Sequence, residues 1–394
     1  MTTSQSLAFV CPRFAHGATV GGAETLLKNL AIHAASMGRS VSFLTTCAQD
    51  HFSWRNETPP GTRRIDGLDV TFFPVDESRD LEVFLTIQDR ISRRRPVTPE
   101  EELQWLRNSV NSSALYQHLR DYGRDYDRIL AGPYLFGLTY FASQVHPDRT
   151  VLVPCLHDEP FAYLSAIADM FRGVRGHAFN AEPEQTLGCE LYGLDRRRTR
   201  VVGMGLDAFE SDGAAFRARH RIQDPYVLYS GRREPLKGTP LLIDYMAAFN
   251  RRTGKRVRLV LTGSGRFDVP SGFADAILDL GFVTEEEKRQ AMAGAIAFCH
   301  PSVNESLGIV LLEAWMARTP ALVHSGSAVL SDQCRRSRAG LWFRAYPEFE
   351  EELLLLLENV DLRRAMGDAG RAFVLREYSW AAVEKRLASA LDEL

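Results

Sequence analysis

A chain of 394 residues is longer than one ordinary core organises, so two domains are expected. Its 45% hydrophobic and 25% charged residues describe a normal globular protein. A formal net charge of -3 argues against a general nucleic-acid binder. Cys11, Cys47, Cys155, Cys189, Cys299 and Cys334 stand singly with no C-x-x-C pair, which argues against a zinc site or disulfide framework and fits a reducing cytoplasm. The N-terminal Met1 to Ser6 shows no charged n-region, so no signal peptide is expected. No apolar run approaches the roughly 20 residues of a membrane-spanning helix.

Leu7–Cys11 reads as a first parallel strand, followed by a loop over 12–20 and the turn Gly21-Gly22-Ala23-Glu24. A helix with apolar residues at helical spacing then runs from Thr25 to Met37 and stops at Gly38. Strand, Gly-Gly turn and helix let a backbone approach a phosphate, with the helix N-terminus favouring negative charge; a tight turn without ligand is the alternative. Ser40–Thr46 and Leu68–Pro74 are further strands, separated by a polar loop. Leu81 to Leu119 reads as helical and charged, with a helix start at Thr98-Pro99. The cluster Arg93-Arg94-Arg95 is either a solvated charge run or a contact for an anionic membrane or acceptor. Asp125-Tyr126-Asp127 has the D-x-D form of some metal-dependent glycosyltransferases. It stands directly before a strand over Arg128–Ala131, and no further ligand completes a hard-cation cage, so a polar turn is the reading.

Thr150–Leu156 is a buried strand with His157-Asp158-Glu159 beyond its carboxyl end. Residues there point into the crevice of a doubly wound sheet. His157 could position an acceptor hydroxyl, or Asp158 could simply cap a helix over 161–171. A Ser/His/Asp hydrolase would need a G-x-S-x-G elbow, which is missing. A strand and turn over 176–182 and a helix over 184–192 follow, and Val201–Gly205 closes the half.

Asp207 to Asp224 is polar and reads as a linker, after which Tyr226–Tyr229 starts a second α/β unit. The loop Gly231-Arg232-Arg233-Glu234-Pro235-Leu236-Lys237-Gly238 carries two cations five apart at a glycine-edged turn, suited to phosphate or to salt bridges. Arg258–Thr262 is a strand ending in Gly263-Ser264-Gly265, which lacks the third glycine of a dinucleotide fingerprint. Ile277–Val283 is another strand, with Thr284 capping a helix that ends near Gly294. The strand over 295–299 leads to His300-Pro-Ser-Val-Asn304-Glu305-Ser306-Leu307-Gly308-Ile309 and then a helix containing Glu313. Carboxylates can accept from sugar hydroxyls, and amides at a helix start, here those of Ser306, Leu307 and Gly308, can face phosphate. A strand over 320–324 and helices over 348–357, 362–376 and from Tyr378 to Leu394 complete the chain.

The pair Gly231-Arg232 to Lys237-Gly238 and Glu305 to Glu313, an E-x₇-E, resembles the retaining family 4 glycosyltransferases (glycosyl transferases group 1). Gly21-Gly22-Ala23-Glu24 and His157-Asp158 fall in that family's order. The resemblance implies the GT-B fold: two Rossmann-like doubly wound domains facing one cleft, with a C-terminal helix crossing back to the N-terminal domain. Residues 1–205 with 377–394 would be the acceptor-binding domain and 206–376 the donor-binding domain. It implies that Arg232 and Lys237 bind the donor diphosphate, that Glu305 holds sugar hydroxyls, and that Glu313 takes the ribose. Gly231, Ser306, Leu307, Gly308 and Ile309 would give further donor contacts, Gly21 and Gly22 would lie against the phosphate, and Phe282-Val283 would meet the base. His157 and Asp158 would sit by the acceptor. Leu307 replaces a Phe common in the family, an apolar exchange.

The expected activity is that of a retaining hexosyltransferase of polysaccharide-type biosynthesis. It would use a UDP- or GDP-sugar and a glycan, lipid-linked or small-molecule acceptor, with neither metal nor cofactor, in the cytoplasm or at the inner membrane face. A sugar-nucleotide epimerase of the same fold and a catalytically silent nucleotide-sugar binder are the alternatives. Hydrolysis by paired carboxylates does not account for the Arg-Lys loop.

Overall fold

A computed structural model describes residues 5–15 and 21–394. The first four residues, and the part of the expected 12–20 loop from His16 to Val20, lie outside the described residues. The chain divides into two compact units, Met1–Met204 with Val383–Leu394, and Gly205–Ala382.

The first unit is built on strands β1 (Ser6–Cys11), β2 (Ser40–Thr46), β3 (Gly61–Ile65), β4 (Leu68–Phe73), β5 (Arg128–Ala131), β6 (Thr150–Leu152), β7 (Gly176–Phe179) and β8 (Thr199–Val201). Their order is β3-β4-β2-β1-β5-β6-β7-β8. All neighbours are parallel except β3 and β4. Strands covered by helices on both faces read as continuous apolar runs, which is why Leu7–Cys11, wholly buried, is legible from sequence. β3 is not: Gly-Thr-Arg-Arg-Ile has no buried residue, and it forms because Asp66-Gly67, both at positive φ, turn the chain back along the sheet edge.

The long helical stretch resolves into Leu81–Ser92, Pro99–Asn108 and Ser113–Tyr122. Thr98 and Glu101 form a capping box at the second of them. Within the basic cluster Arg93 pairs with Asp89 at 2.7 Å and Arg94 lies over Tyr163, so part of its charge is spent locally. Asp127 of the D-x-D accepts the Ser6 amide at 2.8 Å, tying β5 to β1, which is the polar-turn role.

One expectation is corrected here, and one of two alternatives falls. The strand over Thr150–Leu156 ends at Leu152; Val153–Leu156 stay buried but follow a bent path, the Val153 amide reaching Ala131 O. Asp158 caps no helix. A 3-10 turn over Pro160–Tyr163 follows without a side-chain cap; the next α-helix is Ser165–Gly173, and the buried Glu102 caps it from another helix, accepting from the Ser165 amide at 3.2 Å, its hydroxyl at 2.7 Å and the Ala166 amide at 2.8 Å.

The second unit holds β9 (Tyr226–Ser230), β10 (Arg258–Thr262), β11 (Ile277–Asp279), β12 (Ala297–His300), β13 (Ala321–His324) and β14 (Gly340–Phe343). All are parallel, in the order β11-β10-β9-β12-β13-β14. The expected linker is partly helix: Gly213–Arg219 belongs to this unit, and a Cβ on Gly213 would stand 2.4 Å from the Gly294 amide nitrogen. Trp315 anchors the core, fully buried, its indole donating to Ala339 O at 3.0 Å.

The final helix, Trp380–Glu393, joins the first unit from Val383 onward. Val383, Leu387 and Leu391 are buried, and His33 meets Glu384 at 2.7 Å. Among the described residues no helix is long and apolar enough to cross a membrane.

Candidate functional site

In the second sheet β9 is followed outward by β10 and β11 on one side, while β12 lies on the other. The strand order therefore reverses between β9 and β12, and the crevice beyond their carboxyl ends is the favoured ligand position of such a sheet. The loop Gly231–Gly238 leaves β9 there, and Pro301–Gly308 leaves β12.

These two loops meet through side chains. The Lys237 ammonium donates to Glu305 Oε1 at 2.7 Å, and His300 Nε2 lies 3.3 Å from the same oxygen. Burial alone would push the Glu305 carboxyl up; His300 and Lys237 outweigh it and hold the group well below the usual carboxylate range. An acid so held is an acceptor, not a proton donor. Glu305 is thus suited to gripping hydroxyls. Arg232 is half exposed, 3.4 Å from Glu234, and its carbonyl accepts from the Tyr229 hydroxyl. Its neighbour Arg233 does different work: buried, it donates to the carbonyls of Gly263 (2.9 Å) and Gly265 (3.0 Å) and pairs with Asp279.

Those contacts explain Gly263-Ser264-Gly265. The Gly231 amide donates to Thr262 O at 3.0 Å and the Arg233 amide to Ser264 O at 2.6 Å. A Cβ on Gly263 would stand 2.2 Å from Gly231 O, and one on Gly265 2.4 Å from Arg233 O. The glycines let one loop lie directly on the other, a support for the cationic loop and not a dinucleotide fingerprint.

Gly308, at φ 74°, starts the helix Ile309–Met316. Ser306, Leu307 and Gly308 therefore precede the helix instead of opening it. Leu307 is buried, with its carbonyl held by Gln333 at 2.8 Å. Glu313, on this helix, is paired with Lys288 at 3.0 Å. Burial raises its carboxyl and Lys288 opposes the rise. Phe282 is exposed and Val283 partly so, just beyond β11, whose ladder stops at Asp279, earlier than expected.

The remaining candidates lie on the first unit. Gly21 caps the helix Gly22–Ser36. The third residue of that helix, Glu24, is buried and paired with Arg13, whose Nε donates to it at 3.0 Å. Arg13 thus balances the acid at the helix start. His157 Nδ1 is 3.3 Å from Glu159, which also accepts from the Tyr134 hydroxyl at 2.8 Å, while exposed Asp158 accepts from Tyr163 at 2.7 Å. Sequence reasoning assigned no role to His300, Lys288, Arg13 or Glu184. His300, at the tip of an apolar strand directly before Pro301, carried a readable signal; the others become visible only through their partners.

Glu184 is a buried carboxyl that supports the His157 loop, accepting the Leu156 amide at 2.6 Å and the Asn180 amide. Burial pushes it up to about 8, from an ordinary 4.5. With the folded pKa above the unfolded one, its stability contribution is full below about pH 4.5 and is lost as pH rises through about 8. Unfolding of Glu184→Gln and wild type in denaturant at pH 5, 7 and 9 should show the variant gaining on the wild type with rising pH. Parallel pH profiles would refute it.

Residues 213–373 match the family described as Glycosyl transferases group 1. The chain is 31% identical over 227 residues to a D-inositol 3-phosphate glycosyltransferase of Nocardia farcinica, a match spanning 51% of this chain and 49% of that protein. It is 29% identical over 208 residues to a GDP-mannose-dependent alpha-(1-6)-phosphatidylinositol monomannoside mannosyltransferase of Mycobacterium tuberculosis, spanning 48% and 54%. It thus spans about half the length of these curated relatives. Among solved structures, Anabaena Alr3699/HepE in complex with UDP-glucose is similar over 99% of this chain and 100% of that one, with a TM-score of 0.70 at 17% identity. That likeness shows the fold, GT-B.

Proposed function

We infer, for a chain whose residues 213–373 belong to glycosyl transferases group 1, that the protein moves a sugar from a nucleoside diphosphate donor to an acceptor hydroxyl with retention at the anomeric carbon. The observation that carries this reading is the contact of Lys237 with Glu305 at the switch point between β9 and β12. It joins a phosphate-type cation to a carboxylate kept ionised for hydroxyls. Neither a hydrolase nor a simple dinucleotide binder needs that pairing.

In this assignment Arg232 and Lys237 take the diphosphate and offset the charge that develops as the bond from C1 to the phosphate oxygen breaks. These two cations supply that charge without a metal ion. Glu305 orients the sugar and Glu313 the ribose. Gly231, Ser306, Leu307, Gly308 and Ile309 lend donor contacts, Phe282 and Val283 a wall for the base, and Gly21 and Gly22 a second approach to phosphate. The acceptor oxygen bonds to C1 on the face the phosphate leaves, and its proton passes to the departing phosphate oxygen. His157 and Asp158 are assigned to the acceptor. The names of the relatives, with GDP-mannose in one and UDP-glucose in the other, support a UDP- or GDP-sugar. The acceptor is a glycan, a lipid-linked sugar or a small molecule.

Thermal unfolding in UDP-glucose and GDP-mannose tests the reading. A ligand of the folded state at about 100 times its Kd adds roughly 2.7 kcal/mol, a readable rise in Tm. No rise with any nucleoside diphosphate sugar would remove the assignment. Conversion of the donor sugar to its epimer without acceptor, followed by NMR, would favour the epimerase instead.

A further inference from the structure

We propose that Lys288 is a positioning residue for the nucleoside half of the donor, holding Glu313 as an oriented two-oxygen acceptor for the ribose hydroxyls. The inference rests on the donor-site reading above and adds to it a residue outside both sequence motifs.

Thr284 caps the helix Glu285–Gly294, its hydroxyl accepting from the Glu287 amide at 3.1 Å, and so fixes where Lys288 emerges. The Lys288 ammonium lies 2.8 Å from Glu285 Oε2, 3.1 Å from Glu313 Oε1 and 3.0 Å from Glu313 Oε2. The two acids are not equal partners. The Glu285 side chain is 68% exposed and screened by water, while that of Glu313 is 15% exposed. Against Glu313 the ammonium makes a hydrogen bond to Oε1 only; Oε2 is buried and receives no hydrogen bond. The carboxylate is therefore gripped along one edge and retains acceptor capacity on its second oxygen.

The chemistry gives the reason for a cation here. A vicinal diol donates two O–H groups and is best met by a carboxylate with two acceptor oxygens; a carboxylic acid spends one of its oxygens on its own proton. Burial favours the protonated form of Glu313, and Lys288 opposes it. The ammonium also fixes the rotamer, so the carboxylate meets the ribose without being ordered on binding. In the sequence Lys288 follows Glu285-Glu286-Glu287 and looks like one more charge on a solvated helix face.

Calorimetric titration with UDP, GDP and inorganic pyrophosphate tests this on wild type, Lys288→Leu, Glu313→Gln and the double variant. Lys288→Leu is expected to weaken the preferred nucleoside diphosphate at least tenfold while changing pyrophosphate, which has no ribose, less than twofold. Because Lys288 acts through Glu313, its removal should cost nothing further once Glu313→Gln is present. In this comparison no carboxylate is left buried without its cation, and Lys288 in Glu313→Gln keeps Glu285 at 2.8 Å, so it holds even where Lys288→Leu folds poorly. Unchanged nucleotide affinity in a folded Lys288→Leu protein, an equal loss of pyrophosphate, or an additive loss in the double variant would overturn the proposal. A wild-type protein that binds neither UDP nor GDP would instead overturn the donor reading itself, and this inference with it.

Discussion

Lys237→Ala is expected to lower kcat for sugar transfer by about 10²–10³-fold, the usual consequence of deleting one preorganised group that stabilises a leaving charge. The protein should remain folded. Lys237 is on a surface loop, with its side chain 27% exposed, and packs into neither hydrophobic core. The partner it abandons, Glu305, keeps His300 at 3.3 Å, which limits the cost of the stranded carboxylate to about 1–3 kcal/mol. Lys237→Arg should recover little, since a planar guanidinium does not reproduce a compact ammonium at 2.7 Å from one oxygen. Initial rates of nucleoside diphosphate release, with circular dichroism melts as the folding control, check both halves. Wild-type turnover in Lys237→Ala would remove Lys237 from the chemistry.

Gly263→Ala should damage the same site from behind. Gly263 sits at φ 108°, and its added Cβ would stand 2.2 Å from Gly231 O. The backbone strain costs about 1–3 kcal/mol. The overlap, backbone against backbone, cannot be relieved by a side-chain rotation. The Gly231–Gly238 loop must move, and with it Arg232 and Lys237. The expected result is a loss of donor affinity of tenfold or more together with a lowered denaturation midpoint. Gly254→Ala is the matched control: φ is 68° but nothing lies within 4 Å, so it carries the strain without the collision and should bind donor normally. Equal donor affinity in the two variants would refute the proposed support.

How much of this was legible before the structure depends on where each residue's partner lies in the chain. Strands buried on both faces announced themselves, and β2, β5 and β10 match the sequence reading residue for residue. Two edge strands did not: β3 has no buried residue, and β14 places Trp342 at 43% exposure. The motif residues Arg232, Lys237, Glu305 and Glu313 were legible because their spacing within two short stretches is itself a pattern. The pairing of Lys237 with Glu305, 68 positions apart, was not, since a contact of that separation leaves no periodicity. The same holds for Glu102, which reads as one of three acids at a helix start yet caps a helix 63 residues on. Gly263-Ser264-Gly265 misleads for a related reason. Glycine marks a close approach, but the sequence does not say whether the approaching group is a phosphate or another loop.

The final helix carries a consequence for the order of events during synthesis. Residues 383–394 complete the first unit, yet the ribosome reaches them only after all of 205–382. At about 5–20 residues per second that interval lasts on the order of ten seconds or more. Throughout it the nascent first unit lacks Val383, Leu387 and Leu391, and the apolar surface they bury stands open while the second unit forms. Maturation of the first unit therefore waits on translation of the second, and the first unit cannot reach its finished state ahead of residues 205–382.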